Sequence, residues 1–240
     1  MTTIELLGFG PQGWGGALLF AALMTVAVTL AALAVGALLG AGIAAAKLSR
    51  VRVLRAAGDL YTTVFRGVPE LLVIYLFYFG GSSLVTMVGR WFGVDGFIGL
   101  PPFLIGALAV GMISGAYQAE VYRGAVLAVS RGELEAARAI GMPTATLMRR
   151  ILIPQVLRYA LPGIGNVWQL SLKDSALISV TGLAELLRAS QVAAGSTHQY
   201  FVFFIAGGTL YLLMTAMSNR IFNHAESRVA RTFRGSFARH

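Results

Sequence analysis

Apolar residues fill most of the chain in long runs, and short polar stretches separate one run from the next. A helix that crosses a bilayer needs about 20 mostly apolar residues. Five stretches reach that length: 15–46, 57–80, 100–121, 159–180 and 200–222. The pattern therefore predicts an all-α integral membrane protein with five transmembrane helices in a single domain over 1–240. The second and fourth runs carry charges well inside their length, Arg66 and Glu70 in one and Lys173 and Asp174 in the other. Glu5 and Pro11 precede the first run, which has neither the basic start nor the small-residue cleavage site of a secretory signal peptide. It is expected to remain as a span.

The polar stretch between the third and fourth runs, residues 130–155, is long and itself patterned. Ser130 and Glu133 have the S-x-x-E spacing of a capping box, which predicts a helix from there to about Ile140. Gly141 suits the left-handed position that ends such a helix. Pro143 cannot continue it, and Thr144 is an expected N-cap for a second short helix leading to Ile151 and Pro154. The stretch reads as an ordered helix, turn and helix outside the membrane, built to be gripped.

Composition sharpens this picture. Hydrophobic residues make up 57% of the 240 and charged residues 12%, and the mean hydropathy is +0.74, outside the range of ordinary soluble domains. The net charge of +9 has a topological explanation. All but four of the nineteen lysines and arginines fall in the loops after runs one and three and in the tail, whose cations include Arg220, Arg228, Arg231, Arg234 and Arg239. Arg90 and Arg188 fall on the opposite side, and Arg66 and Lys173 lie inside runs. Cytoplasmic loops are the basic ones, so the N-terminus is expected outside and the C-terminus in the cytoplasm, with no nucleic-acid partner needed to explain the charge. There is no cysteine, and His198, His224 and His240 are too dispersed to form a ligand cluster. No metal site is expected.

Ionisable groups inside a membrane are costly and mark pathways by default. In the fourth run Asn166, Gln169, Lys173 and Asp174 fall on one helical stripe. Lys173 and Asp174 offer a cation and an anion, as a zwitterionic solute requires; a polar network between helices is the competing use. In the second run Arg66 and Glu70 are spaced i, i+4 across Pro69, where a helix is expected to kink. Glu70 then either meets a cationic solute group or pairs with Arg66. Glu120 and Arg123, spaced i, i+3, read as a surface pair. Gly36/Gly40 and Gly111/Gly115 have the spacing that lets helix backbones approach closely.

The polar loop also carries a resemblance. Glu135-Ala136-Ala137, three residues, Gly141, nine residues, then Ile151-Leu152-Ile153-Pro154 is similar to the E-A-A signature of permease subunits of ABC importers, with Ile153 where leucine is usual. Phe65–Leu72, Gly115–Ala125 and Arg158–Ser179 resemble the polar amino-acid uptake permeases, in particular those for histidine, lysine, arginine and ornithine and those for opines such as octopine and nopaline. That likeness runs from about Tyr61 to Glu226. It implies a type I ABC importer permease fold in a bacterial inner membrane. It also implies an ABC ATPase dimer seated on the coupling residues Glu135, Ala136, Ala137 and Gly141, a periplasmic solute-binding protein, and a second permease subunit, either a different, homologous chain or a second copy of this one. ATP and magnesium would sit on the ATPase. This chain has no G-x-x-x-x-G-K-[ST] phosphate loop and is expected to bind no cofactor itself.

Two other classes compete. An ion-gradient-driven secondary transporter would also place charges in the membrane, but it gives no reason for the spaced E-A-A pattern and more often shows inverted repeats. An intramembrane enzyme lacks support: Gly111–Gly115 is one residue too long for G-x-S-G, no histidine in a neighbouring span can act as base, and there is no H-E-x-x-H.

Overall fold

A computed structural model describes residues 3–10, 13–94 and 96–237, which contain helices and no strand. Pro11, Arg239 and His240 lie outside the described residues. The first long helices are α2 (Gly15–Leu48), after a short α1 (Thr3–Leu7), and α3 (Arg52–Gly67). Next come α4 (Glu70–Tyr75), a π-helical turn (Leu76–Gly80) and α5 (Gly81–Trp91) in one winding. They are followed by α6 (Pro102–Ala128), α7 (Arg131–Ala139), α8 (Thr144–Leu147), a second π turn (Met148–Leu152) and α9 (Ile153–Asp174). A 3-10 segment (Ser175–Thr181), α10 (Leu186–Thr197) and α11 (Tyr200–Phe237) complete the order. Among the described residues four helices are long and apolar enough to cross a membrane: α2, Glu70–Trp91, α6 and Tyr200–Val229. The fourth expected span, carried by α9 and the 3-10 segment, is too polar to join them on composition.

The expected second span, 57–80, is not one helix. Val68 (ψ 134°) and Pro69 (ψ 132°) are extended, because a residue before proline is pushed out of the α region and proline has no amide hydrogen to continue the ladder. Glu70 starts the next helix at this break. The apolar winding then continues past Gly80 to Trp91.

The centre of the fold is the contact between α2 and α6. They run in the same direction, with Gly36 against Gly111 and Ser114, and Gly40 against Gly115 and Ala119. A Cβ at Gly40 would lie 3.0 Å from the Gly115 carbonyl oxygen and 3.1 Å from the Ala119 amide nitrogen. Both are backbone atoms that cannot swing aside. Gly40→Val is therefore expected to force the helices apart and cost about 1–3 kcal/mol, read as a lower melting temperature in detergent; an unchanged melting point would show the contact to be slack. A core of Val28, Ala32, Ile74, Ala109, Val110 and Ile178 fills the space above this contact. α9 runs against α6, Gly163 meeting Val121, while Ile178 beyond its end meets Gly106. Near the start of α2, Leu18 and Ala22 pack with Leu186, Ala193, Ala194 and Phe203 of α10 and α11.

Candidate functional site

The polar loop folds as two helices joined by a closed turn. Gly141 has φ +76°, its amide donates to the Arg138 carbonyl (2.9 Å), and the Met142 amide donates to the Ala137 carbonyl (3.1 Å). These two bonds form a Schellman closure, which needs the left-handed residue that only glycine supplies without strain. The capping box does not form: Ser130 precedes α7 without a side-chain cap bond, and the Glu133 carboxylate instead accepts from the side-chain Nε2 of Gln155 at the start of α9. Thr144 is the first residue of α8 and not its cap, which is Pro143. Nor does α8 stand apart. Its winding passes through the Met148–Leu152 π turn into α9, with Leu147, Met148, Leu152 and Ile153 all right-handed helical. Pro154 has no amide hydrogen for the carbonyl four residues back, and the wider turn absorbs that defect.

Ala137 and Leu147 are buried and hold the two short helices together, whereas Glu135, Ala136 and Gly141 are exposed. The two alanines thus differ: Ala136 is offered to a neighbour, and Ala137 packs within the loop. Ile140 projects with 78% of its surface exposed. It lies at the edge of a hollow of about 470 Å³ lined also by Glu133, Ala136, Met142 and Arg150. A projecting apolar residue beside a hollow with both charge signs suits a protein partner better than a small ligand.

Of the charged residues in the second and fourth runs, Glu70 and Asp174 are the two that the fold brings into each other's neighbourhood. Glu70, at the break, lies within electrostatic reach of Asp174, which also feels Lys173. Arg66 and Glu70 form no ion pair among the described residues; the Arg66 guanidinium lies over the Tyr117 ring at 5.4 Å. The polar stripe of α9 is divided in use. Gln169 donates to Asn219 of α11, Asp174 is half-buried, and Asn166 and Lys173 are exposed. Glu70 and Asp174 thus lie near enough to influence each other, and Lys173 adjoins Asp174 in sequence, so groups of both charge signs fall in one region. Among the described residues no group of histidines and acids could hold a metal ion.

Two polar clusters escape sequence reasoning. Glu120 and Arg123 do pair, but as part of a larger, partly buried cluster. Glu120 accepts from Lys47 and from Arg123 (2.9 Å), and Lys47, only 9% exposed at its side chain, also donates to Thr62 (2.8 Å) and pairs with Asp59 (3.0 Å). The cluster joins α2, α3 and α6. The second cluster centres on Glu185, fully buried at the start of α10, which accepts from the Leu187 and Arg188 amides (2.8 and 2.7 Å) and the Tyr211 hydroxyl (3.0 Å). Burial pushes its carboxyl up, and those three donors oppose the shift. A single acid amid apolar residues after Gly182 was the available signal; for Lys47 there was none, since it sits among the cations of a basic loop.

A family model described as "Binding-protein-dependent transport system inner membrane component" matches residues 36–231. The chain belongs to this family. The permease is 55% identical over 234 residues to the octopine transport system permease protein OccQ of Rhizobium meliloti, covering 98% of this chain and 99% of the relative. To the histidine/lysine/arginine/ornithine transport system permease protein HisQ of Salmonella typhimurium it is 39% identical, covering 90% and 94%. The solved structure of an amino acid ABC transporter with histidines superposes with a TM-score of 0.75 at 32% identity, covering 90% of this chain and 95% of that one. This permease is thus a multi-pass membrane subunit of an ABC importer that works with an ATPase and a binding protein, a transport subunit and not an enzyme. Membership removes the ion-gradient reading.

Proposed function

We propose that this chain forms one half of the membrane pathway of a type I ABC importer for polar or basic amino acids or opines, in a bacterial inner membrane. What supports the reading is the exposed E-A-A loop, from which a helix winds without interruption to Lys173 and Asp174, with Glu70 at a helix break within electrostatic reach of Asp174. Opines such as octopine, and the basic amino acids, carry both carboxylate and cationic groups, and the relatives' names lie within this chemical class. In this reading the chain crosses the membrane five times, N-terminus outside and C-terminus in the cytoplasm, α9 supplying the fourth crossing. A periplasmic binding protein delivers the solute, a second homologous permease completes the path, and an ATPase dimer holding ATP and magnesium seats on Glu135, Ala136 and the turn at Gly141.

The test is purification of the native complex in mild detergent, followed by reconstitution with ATP inside the vesicles and binding protein loaded with octopine, nopaline, arginine or histidine outside. ATP-dependent uptake of at least one of these is expected. Recovery of the chain without an ATPase in several detergents, or uptake that needs no ATP, defeats the proposal. Coupling has its own test. Glu135→Lys is expected to lower ATP-driven uptake roughly tenfold, the effect of losing about 1.4 kcal/mol of charged contact, while solute binding to the periplasmic protein stays unchanged. Undiminished uptake would detach this loop from coupling.

A further inference from the structure

Where the E-A-A loop passes into α9, a groove of about 470 Å³ opens against the ends of α2 and α6. It is lined by Ala37, Ala41 and Ala45 of α2, Tyr122 and Val126 of α6, and Met148 of the second π turn, together with apolar residues of α9. The alanines keep α2 thin there, which leaves the space open. Every lining residue is apolar except for one phenol, and the Tyr122 hydroxyl already donates to Oε1 of Gln118 (2.7 Å). A polar occupant would find no hydrogen-bond partner inside, at a cost. A hydrocarbon chain needs none.

Both α2 and α6 are long and apolar enough to cross a membrane, so a groove between their ends lies where lipid does. Along α2 it runs from Ala37 to Leu48, about 16 Å at 1.5 Å per residue. That is about one leaflet, half of a hydrocarbon core of about 30 Å. The Leu48 end is basic. Arg50 follows two residues on, the Arg55 guanidinium donates to the Ser49 carbonyl (3.1 Å), and Arg149 adjoins Met148. All three are exposed and form no ion pair among the described residues, whereas Lys47 is already engaged by Glu120 and Asp59.

The groove also faces away from Arg66 and Glu70. Tyr117, which meets Arg66, precedes Tyr122 by five residues and Val126 by nine, which places these two about 140° and 180° around α6 from it. A second permease that shares a solute path sits on the Arg66 side and leaves this side to lipid; that step rests on the importer reading above.

We propose that the groove is a lipid site, holding an acyl chain of an anionic phospholipid whose phosphate meets Arg50, Arg55 and Arg149. The chain lies against the π turn through which the E-A-A loop joins α9.

The complex is purified in mild detergent, and phosphatidylglycerol and phosphatidylcholine carrying the same photoreactive acyl chain are compared, with labelled residues identified by mass. Phosphatidylglycerol is expected to label residues 37–48 and 148–157 more densely than the ordinary exposed apolar face of α11 at 212–221, and at least about fivefold more than phosphatidylcholine does, the effect of one arginine beside an anionic headgroup. Arg50→Gln with Arg149→Gln should bring the two lipids near parity. Ala41→Phe, which fills the groove and leaves the arginines in place, should lose most of the label at both stretches with subunit stoichiometry unchanged; if that variant does not assemble, the arginine pair decides. Equal labelling by the two lipids in the unsubstituted complex, label no denser than on α11, or groove residues that cross-link to another chain of the complex overturn the lipid site. ATP-driven uptake by the same preparation tests the importer reading separately, because the labelling needs no transport.

Discussion

Asp174→Asn and Lys173→Gln are each expected to reduce ATP-driven uptake about ten- to hundredfold, because a hydrogen bond to a charged group contributes about 1.5–3 kcal/mol and every 1.4 kcal/mol is tenfold. Both substitutions keep the size of the side chain and remove its charge. Asp174 shares its surroundings with Glu70 and Lys173, so a cationic solute group entering there gains two carboxylates at once, and an anionic group gains the ammonium. The two variants should differ in kind: solutes with a cationic side chain suffer most from Asp174→Asn, and Lys173→Gln affects every solute through its carboxylate. The measurement is uptake in reconstituted vesicles, with subunit stoichiometry checked so that lost assembly is not read as lost transport. Parental rates in an intact complex would reduce these charges to helix packing.

The second large effect concerns folding. Lys47→Met leaves the partly buried Glu120 with only Arg123 to compensate it, and a desolvated polar group stripped of its partner costs about 1–3 kcal/mol. All three ammonium hydrogens of Lys47 have acceptors, Thr62, Asp59 and Glu120, from two other helices. The expected result is a complex that melts at a lower temperature and accumulates poorly in the membrane. Pairing Lys47→Met with Glu120→Gln should restore part of the loss, since an uncharged pair leaves no stranded carboxylate. If Lys47→Met melts like the parent, the cluster is solvated and contributes little.

Much of this was legible in the sequence, for physical reasons that also mark where reading stops. Long apolar runs leave a chain no choice but to be helical in a bilayer, so α2, α6 and α11 fall where their hydrophobicity puts them. Gly141 was legible because a left-handed turn excludes nearly every other residue. Pro69 announced a kink, but a single proline does not say whether a helix bends or ends; the extended Val68 decided it. Ser130 failed as a capping partner because Gln155, 22 residues later, competes for Glu133, and no local pattern carries that contact. Lys47 and Glu120 illustrate the same limit at longer range. Each looks like an ordinary charge near the end of a span, and only the approach of α2 to α6, through glycines that permit it, turns them into a partly buried pair. Arg66 and Glu70 were correctly spaced to pair, yet the helix ends between them and Arg66 lies over Tyr117 instead.

The continuous winding from Thr144 to Asp174 has a mechanical meaning. At 1.5 Å per residue it is a lever of about 45 Å, with its short arm in the loop that a partner grips and its far tip at the charge pair. Each degree of tilt at the gripped end moves the tip by about 0.8 Å at that length. On the function proposed above, a few degrees of rotation at the loop would shift Asp174 relative to Glu70 by a few ångströms, about the scale of a hydrogen bond, and so change the grip on a solute.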